Sequence, residues 1–327
     1  MIQVLPDLDD DLLVRLFHKS ARRVWTSADV DWEAPVMLSD RGATALGRLL
    51  SPVYLGEQSA MIGASSIMPQ LMAAGETSAQ VYLSSFIYDE ARHFEALTRL
   101  YRRLDVRPAG LRDIPEMLRY HHRLRQGDRI DWVWGILISD LFAKNFYGIF
   151  SHAQPDALFG KMSTEILRDE SRHQAFADEY LTRAMGRISR DRRSQLLAMW
   201  DDLMRLMTAM YGRLRDDCAA LEIDGDAFVR RLMADVERHA RRIGLIGQPD
   251  GDPPGGPPIP GAGSEAPVAG SVGQGATAAV RRDAPVGAAD APQGGSAESC
   301  GTCYLAALCE SRLVQAGAER RHRRQAA

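Results

Sequence analysis

Asp89-Glu90-Ala91-Arg92-His93 and Asp169-Glu170-Ser171-Arg172-His173 are two copies of one five-residue pattern, Asp-Glu-x-Arg-His. In each copy the Glu and the His stand three residues apart. On a helix this puts them about 60° apart around the axis and about 4.5 Å apart along it. A carboxylate oxygen and an imidazole nitrogen can then grip one metal ion from a single helix face. Two such helices, set face to face, offer two ions a mirrored pair of donor sets. Helical bundles that carry di-iron or di-manganese centres are built this way and add one carboxylate from each of two more helices.

The sequence supplies both extra acids. Glu57 lies 33 residues before Glu90, in the mostly apolar stretch Val53-Tyr54-Leu55-Gly56-Glu57-Gln58-Ser59-Ala60-Met61-Ile62. Asp140 lies 30 residues before Glu170, inside Trp132-Val133-Trp134-Gly135-Ile136-Leu137-Ile138-Ser139-Asp140-Leu141-Phe142. An acid among apolar residues is costly unless its charge is paired or bound to a metal. Spacings near 30 allow one long helix, a turn and a return to the same height in an antiparallel neighbour. Six candidate ligands result: Glu57, Glu90, His93, Asp140, Glu170 and His173. A lone Glu-x-x-His is also an ordinary solvated pair. The full pattern, however, arises by chance in about one in several hundred chains of this size. For Asp140 a second reading stays open, in which it pairs with Lys144 instead.

This arrangement resembles the ferritin-like di-iron carboxylate superfamily. Its oxygen-activating branch includes multicomponent monooxygenases, the ribonucleotide reductase small subunit, acyl-carrier-protein desaturases and arylamine N-oxygenases. The resemblance covers roughly residues 10 to 245 and rests on the paired motifs with their two upstream acids. It implies that Asp89 and Asp169 each hydrogen-bond the metal-bound His of the opposite helix and so fix its orientation. It also implies two iron ions, with manganese admissible in either place, and O2 as co-substrate. Three positions depart from subgroup patterns. Asp140 stands where most members have Glu, and its shorter side chain bridges less readily. Leu97 occupies the place of the reductase radical Tyr, and Ile166 that of the extra His of the N-oxygenases.

Periodicity and breakers predict an all-α body. Leu12, Leu13, Leu16 and Phe17 suggest an opening amphipathic helix. Ser39 is a candidate cap for a helical region from near Gly42 to before Gly75, with Pro52 and Pro69 expected to restart or kink it. Further helices are expected from Glu76 to about Leu104, Met117 to Leu124, Ile130 to His152, Asp156 to Met185, Arg190 to Leu221 and Asp226 to Ile246. The fold class expected is thus a ferritin-like four-helix bundle with flanking helices, spanning residues 1–247.

Beyond it, residues 248–299 are rich in Gly, Pro, Ala and Ser, and read as a flexible linker because they cannot bury enough apolar surface. The tail, 300–327, carries Cys300-Gly301-Thr302-Cys303 with Cys309 six residues on, followed by a short basic run. With Cys218 or His322 as a fourth ligand, a zinc or iron–sulfur site is one reading. A tethered redox dithiol and a plain amphipathic segment are the others.

Of 327 residues, 45% are hydrophobic and 25% charged, with a net charge of -3, so nothing suggests a broad nucleic-acid surface. No apolar run reaches membrane-spanning length, and no signal peptide is recognised at the start. A soluble cytoplasmic protein, homodimeric and without nucleic-acid or membrane partners, is expected. The resemblance implies an O2-dependent oxygenase or oxidase acting on a small organic substrate by hydroxylation, N-oxygenation or desaturation. Its electrons would come from a ferredoxin or flavoprotein reductase, since no flavin or nicotinamide fingerprint is present. The alternative is a ferritin-like iron-oxidising or iron-storage protein without an organic substrate.

Pocket candidates are Phe86, Phe94, Ile136, Phe146 and Tyr147, each also acceptable as plain core. Lys144, one turn after Asp140, is the candidate catalytic residue. A buried lysine can donate protons or pair with Asp140, whereas a snorkelling one carries its amine out to solvent.

Overall fold

The structure is a computed structural model that describes Pro6, Leu8 and residues 11–247. The linker 248–299 and the tail with Cys300, Cys303, Cys309 and His322 lie outside the described residues. The described residues form nine helices and no strand: α1 (Leu12–Arg22), α2 (Asp40–Leu49), α3 (Ser51–Ala74), α4 (Thr77–Arg103), α5 (Pro115–Arg125), α6 (Arg129–Ala153), α7 (Leu158–Met185), α8 (Arg190–Ala220) and α9 (Gly225–Arg242). None is long and apolar enough to cross a membrane.

Local chemistry sets the helix ends. The Ser39 hydroxyl accepts from the Gly42 N–H at 3.2 Å and starts α2. Pro52 falls in the first turn of α3, where its missing N–H leaves no bond unmade. Gly75, at φ 72°, closes α3 in the left-handed conformation that glycine adopts without strain, and α4 follows at once. Asp128 and Asp131 form a reciprocal capping box at the head of α6. Pro69 does not end α3, contrary to a restart there. The helix runs through it because Ile67 and Leu71 on either side are almost fully buried, and that packing offsets one lost hydrogen bond.

Helices α3, α4, α6 and α7 make a ring of four antiparallel neighbours, a ferritin-like bundle. Contacts at both ends of each pair show the direction; between α6 and α7 they run from Gln174 on Asp140 to Phe159 on Phe150. Along α4, Tyr82 stacks on Phe176 and Phe86 packs on His173, while Asp89 and Arg92 meet Arg172 and Asp169. Tyr54 of α3 reaches Thr98 of α4, whereas Met68 accepts from Gln80. Glu57 faces Tyr147 across α3 and α6, and Gly63 faces Trp132. Around this ring, α1 packs on α4 and α7, α5 and α8 lie together over α3 and α6, and α9 covers α6.

The close approach of α3 to α6 depends on Gly63. A Cβ at that position would overlap the indole of Trp132, which is itself buried and cannot swing away. Gly63→Ala should therefore destabilise the protein by about 1–3 kcal/mol through overpacking. A denaturant melt reads this, and an unchanged midpoint would mean that the two helices separate freely.

Candidate metal centre

Each motif places its acid and its imidazole on the inward face of a bundle helix. Glu57, Glu90, His93, Asp140, Glu170 and His173 all converge on the middle of the ring, and none is more than 5% exposed. Six titratable groups in a dry core would be severely destabilising without partners or a bound cation.

Two donor sets emerge. Glu57, Glu90 and His93 bring ligand atoms within 4.8 Å of one another, and so do Glu90, Glu170 and His173. His93 Nδ1 lies 3.6 Å from Glu57, 3.8 Å from Glu170 and 4.0 Å from Glu90. His173 Nδ1 lies 3.3 Å from Glu90 and 3.7 Å from Glu170. The ring centroids are 6.1 Å apart. Glu90 and Glu170 thus stand between the two imidazoles, and Glu57 flanks His93. Asp140, in the mirrored place on α6, joins neither set. It is one methylene shorter than Glu and stops at the wall of the same cavity as Glu57, Glu90 and Glu170.

Both Nδ1 atoms, Glu170 Oε2 and Asp140 Oδ2 are buried without a hydrogen-bond partner. Buried polar atoms are rarely left so, and here all of them belong to groups able to ligate a metal. Imidazole and carboxylate donors suit iron and manganese. The residues fit a metal pair.

Outward of the donors, each imidazole is held from the opposite helix. His93 Nε2 lies 3.1 Å from Asp169 Oδ2, and His173 Nε2 lies 3.4 Å from Asp89 Oδ2. These bonds leave each Nδ1 free to face the centre. The Asp pair is itself neutralised by the motif arginines. Arg92 donates to Asp89 and, at 3.0 Å, to Asp169. Arg172 donates to Asp169 and, at 3.0 Å, to Asp89. The Trp25 indole N–H donates to Asp169 at 2.8 Å, and the Trp25 carbonyl accepts from Arg92 at 2.8 Å. The sequence reading assigned no role to Trp25 or to the two arginines. The repeated Arg was the available signal, whereas Trp25 lies outside any motif.

Charge follows this geometry. Burial disfavours the cationic form of each imidazole, but the Asp hydrogen bond and the nearby glutamates outweigh it and push both up to about 10. Burial, then the neighbouring carboxylates, hold the carboxyls of Glu90 and Asp140 well above the usual range. Burial would raise Asp169 too, yet its bond from His93 and the two guanidinium groups hold it far below.

Lys144 is not brought to the donors. Its amine donates to Gln174 at 3.3 Å and lines an outer groove with His152, Ser171 and Arg231. It makes no ion pair with Asp140, although the two stand one turn apart on the same helix, because its flexible stem carries the charge outward to Gln174. Of the pocket candidates only Ile136 lines the cavity. Phe86 packs on His173, Phe94 stacks on Tyr54, Phe146 sits among Phe142, Phe150 and Phe159, and Tyr147 donates to Glu57 at 3.3 Å. Cys218 is buried in α8, where apolar surroundings push its thiol up to about 11.

No family model matches the chain, and no curated protein matches it. Among solved structures it is similar to R2-like ligand-binding oxidases. Two variants of such an oxidase, with anaerobically and aerobically reconstituted Mn/Fe cofactor, superpose with TM-scores of 0.62 and 0.63 at 16% identity. A third, anaerobically reconstituted, gives 0.59 at 17% identity. Each match covers 73% of this chain and 96% of the other. The chain therefore shares the ferritin-like fold of these oxidases.

Proposed function

We propose that this protein is an O2-dependent oxidase or oxygenase that holds two transition-metal ions, both iron or one manganese and one iron, and oxidises a small organic substrate. The observation that carries this reading is the pair of buried donor sets whose imidazole nitrogens and carboxylate oxygens have no protein partner. The oxidases of the same fold carry Mn/Fe cofactors, which supports it. Glu57, Glu90 and His93 would hold one ion, and Glu90, Glu170 and His173 the other. Two reduced ions bound there would supply electrons to O2. Asp169 and Asp89 fix the two rings, and the packed bundle keeps bulk water from the centre. Reducing equivalents come from a separate ferredoxin or flavoprotein reductase.

Metal binding must displace the protons that the centre holds without it. Both imidazoles are protonated at neutral pH when they titrate near 10, so each ion that binds releases them. Affinity should therefore rise with pH between about 6 and 8, by about tenfold per pH unit for each proton displaced. Anaerobic titration of the metal-free protein with Fe(II), read by metal analysis and a pH indicator, should show two ions per chain and proton release. Exposure to O2 should then consume it faster than free Fe(II) does. Binding of less than one ion, or O2 uptake no faster than in buffer, would refute the proposal.

A further inference from the structure

The donors open on one cavity, walled by α3 and α6 and roofed by α5 and α8. Its walls are largely apolar: Val53, Ala60 and Ile136 from the bundle, with Met117, Met207 and Met210 from the roof. Beyond the four carboxylates its polar side chains are Tyr120, Ser139 and His121. The Tyr120 hydroxyl donates to the Gly135 carbonyl at 2.9 Å, and Ser139 lies beside that hydroxyl. His121 differs from both. Part of the residue reaches solvent, yet its Nδ1 is buried and no protein group meets it.

A buried imidazole nitrogen left unpaired is destabilising. A role as a metal ligand does not account for it, because His121 belongs to neither donor set. Nor does bundle packing, since α5 is a roof helix. We infer that His121 is a positioning residue whose ring hydrogen-bonds the polar group of a small, mainly apolar substrate and so fixes it beside the metal donors. Burial pushes the imidazole down to about 4, so at neutral pH it is uncharged and offers one donor and one acceptor nitrogen. A neutral hydroxyl or amine matches that chemistry, whereas an anionic group would face four carboxylates.

Size is consistent with a small ligand. The cavity holds about 50 Å³, and a water needs roughly 10–15 Å³ by a comparable measure. The three roof methionines are flexible and can rearrange to widen it for a single ring.

This inference rests on the proposed function, and the test separates the two. Phenol and toluene have nearly the same shape and differ in the hydroxyl. Their binding to metal-loaded and metal-free protein, by ligand-observed NMR and calorimetry, should favour phenol. In His121→Phe the phenol-to-toluene affinity ratio should fall about tenfold, the equivalent of one hydrogen bond, while His121→Gln keeps most of the preference. Bound metal should remain at two ions per chain in both variants. An unchanged ratio in His121→Phe overturns the inference, as does failure of phenol to bind the wild type. Loss of the phenol preference in His121→Gln together with loss of fold or metal assigns His121 a structural role instead and overturns it. Absence of metal from the wild type refutes the proposed function alone, because the probe ratio is read on the metal-free protein as well.

Discussion

His93→Ala is expected to weaken metal binding by more than about 100-fold at its site and to lower the content from two ions per chain to one or fewer. The scale follows from outer hydrogen-bond partners, whose loss alone costs about 10–100-fold. His93 contributes a donor nitrogen directly, and that nitrogen has no competing protein partner. Its removal leaves Glu57 and Glu90 as a purely anionic set and strips Asp169 of its imidazole contact. Neither acid can turn to another cation, since the nearby guanidinium groups are engaged by Asp89 and Asp169. His173→Ala should behave in the same way at the mirrored site, where Glu90 and Glu170 remain. Equilibrium dialysis against Mn(II) or anaerobic Fe(II), followed by metal analysis, reads the loss. Two ions bound at wild-type affinity in either variant would remove the imidazoles from the centre.

Arg172→Met should have the largest effect on stability, a loss of about 3–5 kcal/mol. Asp89, Arg92, Asp169 and Arg172 are exposed by only 2%, 7%, 1% and 4%, so solvent cannot replace a missing partner. Taking away one guanidinium leaves two carboxylates with one between them in a dry core. The melting temperature should fall by roughly 6–20 °C for a domain of this size. Replacing all four residues with apolar ones of similar volume should restore much of that stability, because no charge is then left unpaired. The same variant should bind metal about 10–100-fold more weakly, since nothing orients His93 and His173. Melting curves and metal affinity measured side by side separate the two contributions. If the quadruple variant kept wild-type affinity, the Asp–Arg quartet would serve folding alone.

Part of the centre was legible because it is local. The three-residue offset between Glu90 and His93, and between Glu170 and His173, is a property of a single helix, so the sequence could place each pair on one face. Glu57 and Asp140 were legible as acids in apolar runs, where burial without a counter-charge is costly. The crossed bonds from Asp89 to His173 and from Asp169 to His93 came from the family resemblance, since no spacing within one helix encodes them. That α3 runs through Pro69 without a restart was not legible, because a proline's local penalty is visible in sequence while the burial of Ile67 and Leu71 is not.

By itself, then, the sequence determined the bundle helices, their length and the six acid and imidazole side chains on their inner faces. Hydrophobic period and helix geometry act over a few residues and survive in one dimension. Tertiary structure alone decided that Lys144 turns outward. It alone placed Trp25 on Asp169 and His121 at the cavity. Each of these depends on how a helix is rotated about its axis, or where a connecting segment crosses the bundle, and on which neighbour it meets. Packing among several helices fixes that rotation, and no single stretch of chain contains it.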